Sequence, residues 1–180
     1  MNNIYYFIRH AHSSYTPDEI NRPLSDKGQA SLAQLEFLTD KSIAAIYSSP
    51  YRRAIQTVEP LAQSLKLAIQ TDKRLIERKL SSQAIADPDF EQCLMKLWSQ
   101  PTFSLVDGES NQQAQQRALA LLHELESKHQ NEEIIISSHG NLICILLSAF
   151  DSSIDYDFWR SLSMPDVLVL DKNGNISRLL

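Results

Sequence analysis

The chain has 180 residues, 43% of them hydrophobic, and no break in composition, which predicts one domain over residues 1–180 with a single core. Its formal charge of −5 disfavours general binding to nucleic acid or to anionic membrane, and no apolar run is long enough to cross a bilayer. Two isolated cysteines, Cys93 and a core Cys144, together with the lack of a signal-peptide pattern, indicate a reduced, cytoplasmic protein.

The first predicted element is a short apolar strand from Ile4 to Ile8 that ends in Arg9 and His10. Such side chains at the end of a buried strand are costly to desolvate unless they have a function there. Ligands of open parallel sheets bind beyond the carboxyl ends of the strands. Arg9 and His10 therefore occupy a position typical of a functional site.

Proline and asparagine residues predict a loop over residues 12–23, after which Ser25 is placed to cap a helix. Arg53 falls in the first turn of a later helix, where free backbone donors add to its attraction for an anion, whereas Arg52 is expected at the surface. Pro60 lies inside that helix and predicts a kink. The predicted elements are a helix over 26–38, a strand over 43–47, a helix over 51–67 and a strand over 67–71.

The second half of the chain completes the predicted sheet. Residues 79–107 are irregular and are expected to form either a lid or specificity insertion or a plain surface helix and loop. Helices are predicted over 111–128, capped by Ser110, and over 141–150, with a strand ending at Ser137 between them. Asn173-Gly174 predicts a hairpin. This order indicates an α/β three-layer sandwich: a mostly parallel sheet with one antiparallel strand and helices on both faces.

Three predicted strand ends carry chemically similar side chains. Arg9 and His10 follow the first strand, Arg53 opens the helix after the second, and His139 follows the run that ends at Ser137. Two arginines and two histidines at one sheet edge repel each other unless an anion lies among them. A phosphoryl group fits best, because its oxygens match the guanidinium fork.

Several segments of the chain, in order, resemble the histidine phosphatase superfamily, which includes the phosphoglycerate mutases. Pro23-Leu24-Ser25 with Gly28, and Leu75-Ile76-Glu77, add to the resemblance. The main matching segments are Arg9-His10-Ala11 with Ser13, Ser48-Ser49-Pro50-Tyr51-Arg52-Arg53-Ala54-Ile55-Gln56-Thr57, Gly108-Glu109-Ser110 and Ser138-His139-Gly140.

Roles follow from this pattern. His10 is the predicted nucleophile, with its other ring nitrogen donating to a backbone carbonyl in the chain after it. Arg9, Arg53 and His139 are expected to hold the phosphoryl oxygens, with His139 protonated or at least donating a hydrogen bond when phosphate is bound. Gly140 is expected to let the backbone approach phosphate, at the start of a helix that adds its own donors.

Glu77 is the predicted proton donor to the leaving alkoxide, and its carboxylate can then activate water. Arg78 and the residues after it differ from the segment that often follows this acid in the family. Glu109 is therefore kept as the other candidate. Ser13 matches a family Ser/Thr and is expected either to donate to phosphate or to form a turn hydrogen bond.

Three further positions depart from the family pattern. Ala11 replaces a usual glycine and adds a methyl group beside the nucleophile. His12 stands where Glu or Gln is common and is expected at the surface. Thr16 replaces an asparagine ligand, which puts that substrate contact in doubt.

The sequence predicts a phosphomonoester hydrolase that acts through a phosphohistidine on His10, without metal or organic cofactor, on a small phosphorylated metabolite. Three alternatives stay open: a phosphoglycerate mutase, a phosphatase of protein phosphohistidine, and a non-catalytic phosphate-binding domain. The sequence names neither the substrate nor the oligomeric state.

Overall fold

A six-stranded sheet forms the centre of the computed structural model, which describes residues 1–82 and 87–180. The strands are β1 (Ile4–Arg9), β2 (Ile43–Ser48), β3 (Ile69–Thr71), β4 (Glu133–Ser138), β5 (Asp166–Leu170) and β6 (Ile176–Arg178). The α-helices are α1 (Asp26–Ala30), α2 (Arg52–Leu65), α3 (Asp87–Ser99), α4 (Asn111–Lys128), α5 (Gly140–Leu147) and α6 (Tyr156–Ser161).

The strand order is β3-β2-β4-β1-β5-β6. Strands β3, β2, β4 and β1 pair in parallel, whereas β5 pairs antiparallel with both β1 and β6. Among the described strands, β5 is therefore the one that runs against the others, as the sequence predicted. Because β1 lies next to β4 at the centre, their carboxyl ends share one edge of the sheet.

Helices cover both faces of the sheet, because alternate strand residues are apolar on either side. Tyr5 and Phe7 of β1 face a cluster formed with α4 and α5, whereas Tyr6 and Ile8 face α2 and the segment before β2. Both clusters are buried, and Cys144 of α5 is fully buried, as predicted. The three-layer α/β sandwich expected from the sequence is confirmed.

Two helical regions differ from the prediction. The helix expected over 26–38 is α-helical only to Ala30 and continues as a 3₁₀ helix over Ser31–Asp40, a change for which we have no physical account. Residues 156–161, for which the sequence predicted no element, form α6 with Asp155 as its N-cap. Six residues span less than two helical turns, too few to show a clear periodicity.

The insertion predicted over residues 79–107 is closed at its base by backbone hydrogen bonds. Glu109 donates to the carbonyl of Lys79 at 2.8 Å, and Ser82 donates to that of Val106 at 3.1 Å. Between these segments lies α3, whose Trp98 stacks on Trp159 of α6 with ring centroids 6.3 Å apart. Residues 83–86 of the insertion lie outside the described residues, and its role as a lid stays a prediction.

Membrane-spanning segments were sought among the helices of residues 1–82 and 87–180, and none of these helices has the required length and apolar character.

Candidate active site

The carboxyl ends of β1, β2 and β4 meet at one edge of the sheet. The backbone of His10 donates to the carbonyl of Ser138 at 3.0 Å, and that of Ser49 donates to Ser137 at 2.9 Å. These bonds continue the parallel pairing beyond the strands. As a result, the residues after the three strands lie side by side, including His139 as the N-cap of α5.

The imidazole of His10 is oriented through both ring nitrogens. Nδ1 lies 2.8 Å from the carbonyl oxygen of Ala11, which fixes Nδ1 as the protonated nitrogen because a carbonyl only accepts. This is the backbone bond that the sequence analysis expected. Nε2 then carries the lone pair and accepts a hydrogen bond from Nε of Arg53 at 3.1 Å. Burial, with Arg53 and Arg9 adding repulsion, lowers the pKa of His10 to about 3, so the ring is neutral at neutral pH.

Arg53 connects the two histidines. It is 4% exposed in the first turn of α2, and its Nη2 lies 3.3 Å from Nδ1 of His139. Its Nη1 donates to the carbonyl oxygen of Glu19 at 2.7 Å, and its guanidinium lies over the ring of Tyr51 at 4.9 Å from the centroid. Arg52 is exposed, as predicted.

His139 is fully buried, and its Nε2 lies 2.9 Å from the hydroxyl oxygen of Ser49. Its ring meets that of His10 edge-on, with centroids 5.1 Å apart. Burial, together with the nearby His10 and Arg53, holds the pKa of His139 well below its usual range. A neutral His139 whose Nδ1 accepts from Arg53 has its proton on Nε2, from which it can donate to Ser49.

Arg9 reaches the site from the last residue of β1. Its Nη1 donates to the carbonyl of Leu162 at 2.7 Å, while its Nε is buried without a hydrogen-bond partner in residues 1–82 and 87–180. A Cβ on Gly140 would lie 2.7 Å from that Nε. The Arg9 side chain thus fills the space beside Gly140. The sequence had instead suggested that this glycine lets the backbone approach phosphate.

The carboxylate of Glu77 lies at the N-terminus of α5. Its Oε1 accepts from the backbone of Arg78 at 2.8 Å and of Leu142 at 3.0 Å, and its Oε2 lies 3.4 Å from the backbone nitrogen of Asn141. Burial raises the pKa of Glu77 above its ordinary value, although these donors and the charge of Arg78 oppose the shift. A carboxyl group with a raised pKa is suited to donate a proton.

Glu109, the other candidate acid, is held in an ion pair. Its two oxygens accept from Nε and Nη2 of Arg117 at 2.6 and 2.8 Å. A bidentate pair of this kind engages both oxygens of the carboxylate with the guanidinium of Arg117. Glu77 and Glu109 line the same cavity of about 430 Å³, together with Lys79 and Asp107. The cavity lies at the base of the insertion, and Glu77 is part of its wall.

Three residues of the loop after His10, namely His12, Ser13 and Thr16, were singled out in the sequence. Ser13 pairs through its backbone with Leu24, and its hydroxyl has no hydrogen-bond partner among the described residues. His12 is half-buried rather than at the surface, because its Nδ1 lies 2.7 Å from the hydroxyl oxygen of Ser25. The hydroxyl of Thr16 bonds to the carbonyl of Asp18.

Sequence reasoning missed two charged residues beside the site. Arg22 forms an ion pair with Glu19, and its charge contributes to the lowered pKa of His10 and of His139. Glu19 also lies 3.2 Å from Nη2 of Arg53. The available signal was an arginine next to Pro23, but Arg22 lies in a loop and does not follow a predicted strand.

The described residues contain no group of three or more His, Cys, Asp or Glu side chains arranged to hold a metal ion. The expectation that the reaction needs neither metal nor organic cofactor stays a prediction.

The fold and the site define an α/β protein with a cationic centre of paired histidines and arginines at the carboxyl edge of its sheet. The family model of the histidine phosphatase superfamily (branch 1) matches residues 5–171. The chain belongs to the histidine phosphatase superfamily.

Two curated relatives support this assignment. "Putative phosphoserine phosphatase 2" of Hydrogenobacter thermophilus is 27% identical over 157 residues, which cover 78% of this chain and 77% of the relative. "Phosphoglycerate mutase-like protein 4" of Arabidopsis thaliana is 25% identical over 151 residues, which cover 76% of this chain and 66% of the relative.

Solved structures share the fold. A mycobacterial glucosyl-3-phosphoglycerate phosphatase in complex with VO3 superposes with a TM-score of 0.79 at 21% identity, covering 98% of this chain and 97% of its own. YhfR of Bacillus stearothermophilus also gives 0.79, at 24% identity, covering 99% and 96%. At these identities the likeness establishes the architecture.

Proposed function

We propose that the protein is a phosphomonoester hydrolase in which His10 is the nucleophile and carries the phosphoryl group. The observation that carries this proposal is the orientation of His10: Nδ1 is fixed by the carbonyl of Ala11, and Nε2 presents its lone pair between the histidine and arginine side chains. A lowered pKa keeps that nitrogen unprotonated and nucleophilic.

In the first step, Nε2 of His10 attacks phosphorus, and the bond between phosphorus and the ester oxygen breaks. Arg53 donates to Nε2 in the structure, so a phosphoryl oxygen must take over this donor before the lone pair can react. Arg9 supplies further donors to the oxygens, where negative charge develops in the transition state. His139 donates to them only after its Nδ1 has gained a proton, because its single N–H faces Ser49 in the structure. The neutral Glu77 carboxyl gives its proton to the leaving alkoxide.

In the second step, the Glu77 carboxylate takes a proton from water while the water oxygen attacks the phosphohistidine. The P–N bond breaks, its electron pair returns to Nε2, and inorganic phosphate is released. Atoms and charge balance in both steps without a metal, and the positive charge of the arginines stabilises the negative charge on the phosphoryl oxygens.

The substrate class is proposed from the same geometry. The cavity of about 430 Å³ beside Glu77 suits the alcohol portion of a small metabolite, and its wall includes the insertion residues Lys79 and Asp107. The relatives named for phosphoserine and for glucosyl-3-phosphoglycerate are phosphatases of small phosphorylated compounds, which supports this choice.

The test is hydrolysis of para-nitrophenyl phosphate in the presence of a chelator by the wild type and by His10→Ala, followed by trapping of an acid-labile, base-stable phosphoryl-enzyme. We expect metal-free turnover and a trapped phosphohistidine in the wild type, with a loss of at least about a thousandfold in the variant. Equal turnover by both proteins, or turnover that requires a metal, would overturn the proposal. Isomerisation of 3-phosphoglycerate faster than its hydrolysis would favour a mutase instead.

A further inference from the structure

The loop between β1 and α1 places a carboxylate on the cations of the proposed phosphate site. Oε2 of Glu19 lies 3.2 Å from Nη2 of Arg53, and its Oε1 forms an ion pair with Nη2 of Arg22. Both arginine side chains are largely buried, 5% and 16% exposed, whereas the Glu19 side chain is 53% exposed. One carboxylate thus bridges two arginines from the solvent side.

All hydrogen-bonding nitrogens of Arg53 are engaged in this arrangement. Nε donates to His10, Nη1 donates to the backbone carbonyl of Glu19, and Nη2 faces both His139 and the Glu19 carboxylate. These four contacts use four of the five N–H groups of the guanidinium, so a phosphoryl group that binds it through two oxygens must displace at least one of these partners.

The Glu19 carboxylate is the partner that can leave at the lowest cost. It is exposed, so water can solvate it once it has moved, whereas His139 is fully buried. The carbonyl of Glu19 accepts from Arg53 at 2.7 Å through a separate contact, which can hold the loop in place while the side chain rotates. Carboxylate and phosphoryl oxygens also accept hydrogen bonds from the same guanidinium donors, so they compete for them.

We propose that Glu19 is an internal competitor for phosphate: its carboxylate occupies the donors of Arg53 and Arg22, and the phosphoryl group of the substrate displaces it. Glu19 then sets the affinity of the site, weakening the binding of substrate and of product phosphate alike. After hydrolysis, the carboxylate returns to the arginines as phosphate leaves. This inference rests on the proposed function, since it places phosphate at Arg53.

The experiment is calorimetric titration of the full-length protein with inorganic phosphate. Glu19→Gln keeps the size of the side chain and removes its charge, and we expect phosphate to bind about tenfold more tightly to this variant. Glu19→Ala should show a gain of the same order. Glu59→Gln removes one exposed carboxylate from α2, the helix that carries Arg53, and should change the dissociation constant by less than about twofold.

Equal or weaker phosphate binding by both Glu19 variants would overturn the inference, because Glu19 would then be neutral or would support the arginines. A similar gain in Glu59→Gln would also overturn it, since net charge alone would explain the effect. Phosphate binding is measured without turnover, so this result is separate from the His10→Ala assay. If phosphate binds neither the wild type nor the folded variants, the inference and the phosphate site fail together.

Discussion

The side chain of Arg9 lies against Gly140, so that a Cβ on residue 140 would be 2.7 Å from Nε and 3.0 Å from Cζ of the guanidinium. Arg9 ends β1 and Gly140 begins α5, which puts the first arginine of the site in contact with the helix that follows His139. The position of the arginine therefore depends on the absence of a side chain at residue 140.

Gly140→Ala should weaken phosphate binding by about tenfold, because the added methyl group must displace a charge-assisted hydrogen-bond donor. The Michaelis constant and the dissociation constant of phosphate measure this effect. Gly174→Ala is the matched control: residue 174 has a φ of +84°, and no atom of the described part of the chain lies within 4 Å of a new Cβ. That variant should lose about 1 kcal/mol of stability and keep its phosphate affinity. Unchanged affinity in Gly140→Ala would show that Arg9 does not contact phosphate.

Glu77→Gln tests the proton donor. The variant should lose about a hundredfold or more in kcat/KM for an alkyl phosphate, whose alkoxide needs a proton to leave. With para-nitrophenyl phosphate, the leaving group is stable without protonation, so a pre-steady-state burst of para-nitrophenol should remain. The steady-state rate after the burst should fall, because the base that activates water is missing.

Glu109→Gln distinguishes between the two candidate proton donors, Glu109 and Glu77. This change breaks the bidentate pair with Arg117 and should cost about 1 kcal/mol of stability, while the dependence of rate on leaving group stays as in the wild type. If Glu109→Gln loses alkyl phosphate activity and Glu77→Gln does not, the proton donor has been assigned to the wrong residue.

The protonation of His10 can be followed directly. Long-range ¹H–¹⁵N NMR spectra should show the tautomer protonated at Nδ1 and no titration of the ring between pH 7 and pH 5, because the pKa of His10 is lowered to about 3. Titration of His10 near pH 6.5, or a proton on Nε2, would contradict the geometry in which Nε2 is ready to attack.

His139 should make the folded state sensitive to acid. Its pKa is lower in the folded than in the unfolded chain, so below about pH 6.5 the unfolded state binds more protons. The contribution of His139 to the free energy of unfolding is therefore fully present above pH 6.5. It falls as the pH drops, by up to about 1.4 kcal/mol per pH unit. Urea unfolding at pH 7 and pH 5 should show a smaller loss in His139→Gln than in the wild type. An equal loss in both proteins would exclude His139 as the cause.

Local patterns predicted the elements that carry the site. The apolar run before Arg9, the strand ending near Ser137 and the Ser110 cap, which forms a complete capping box with Gln113, all occur in the structure. Each depends on residues close together in the chain, where periodicity and capping chemistry act. The short helix α6 was missed because too few residues carry its pattern.

Sequence patterns predict which chemical groups reach the carboxyl edge of the sheet, because parallel strands end at a common edge and His10, Arg53 and His139 follow those ends. The contacts that these groups make depend on how the chain packs in three dimensions. This packing brings Glu19 onto Arg53 and places Glu77 at the start of α5. Such contacts join residues far apart in the chain through packing and burial, which no local periodicity encodes.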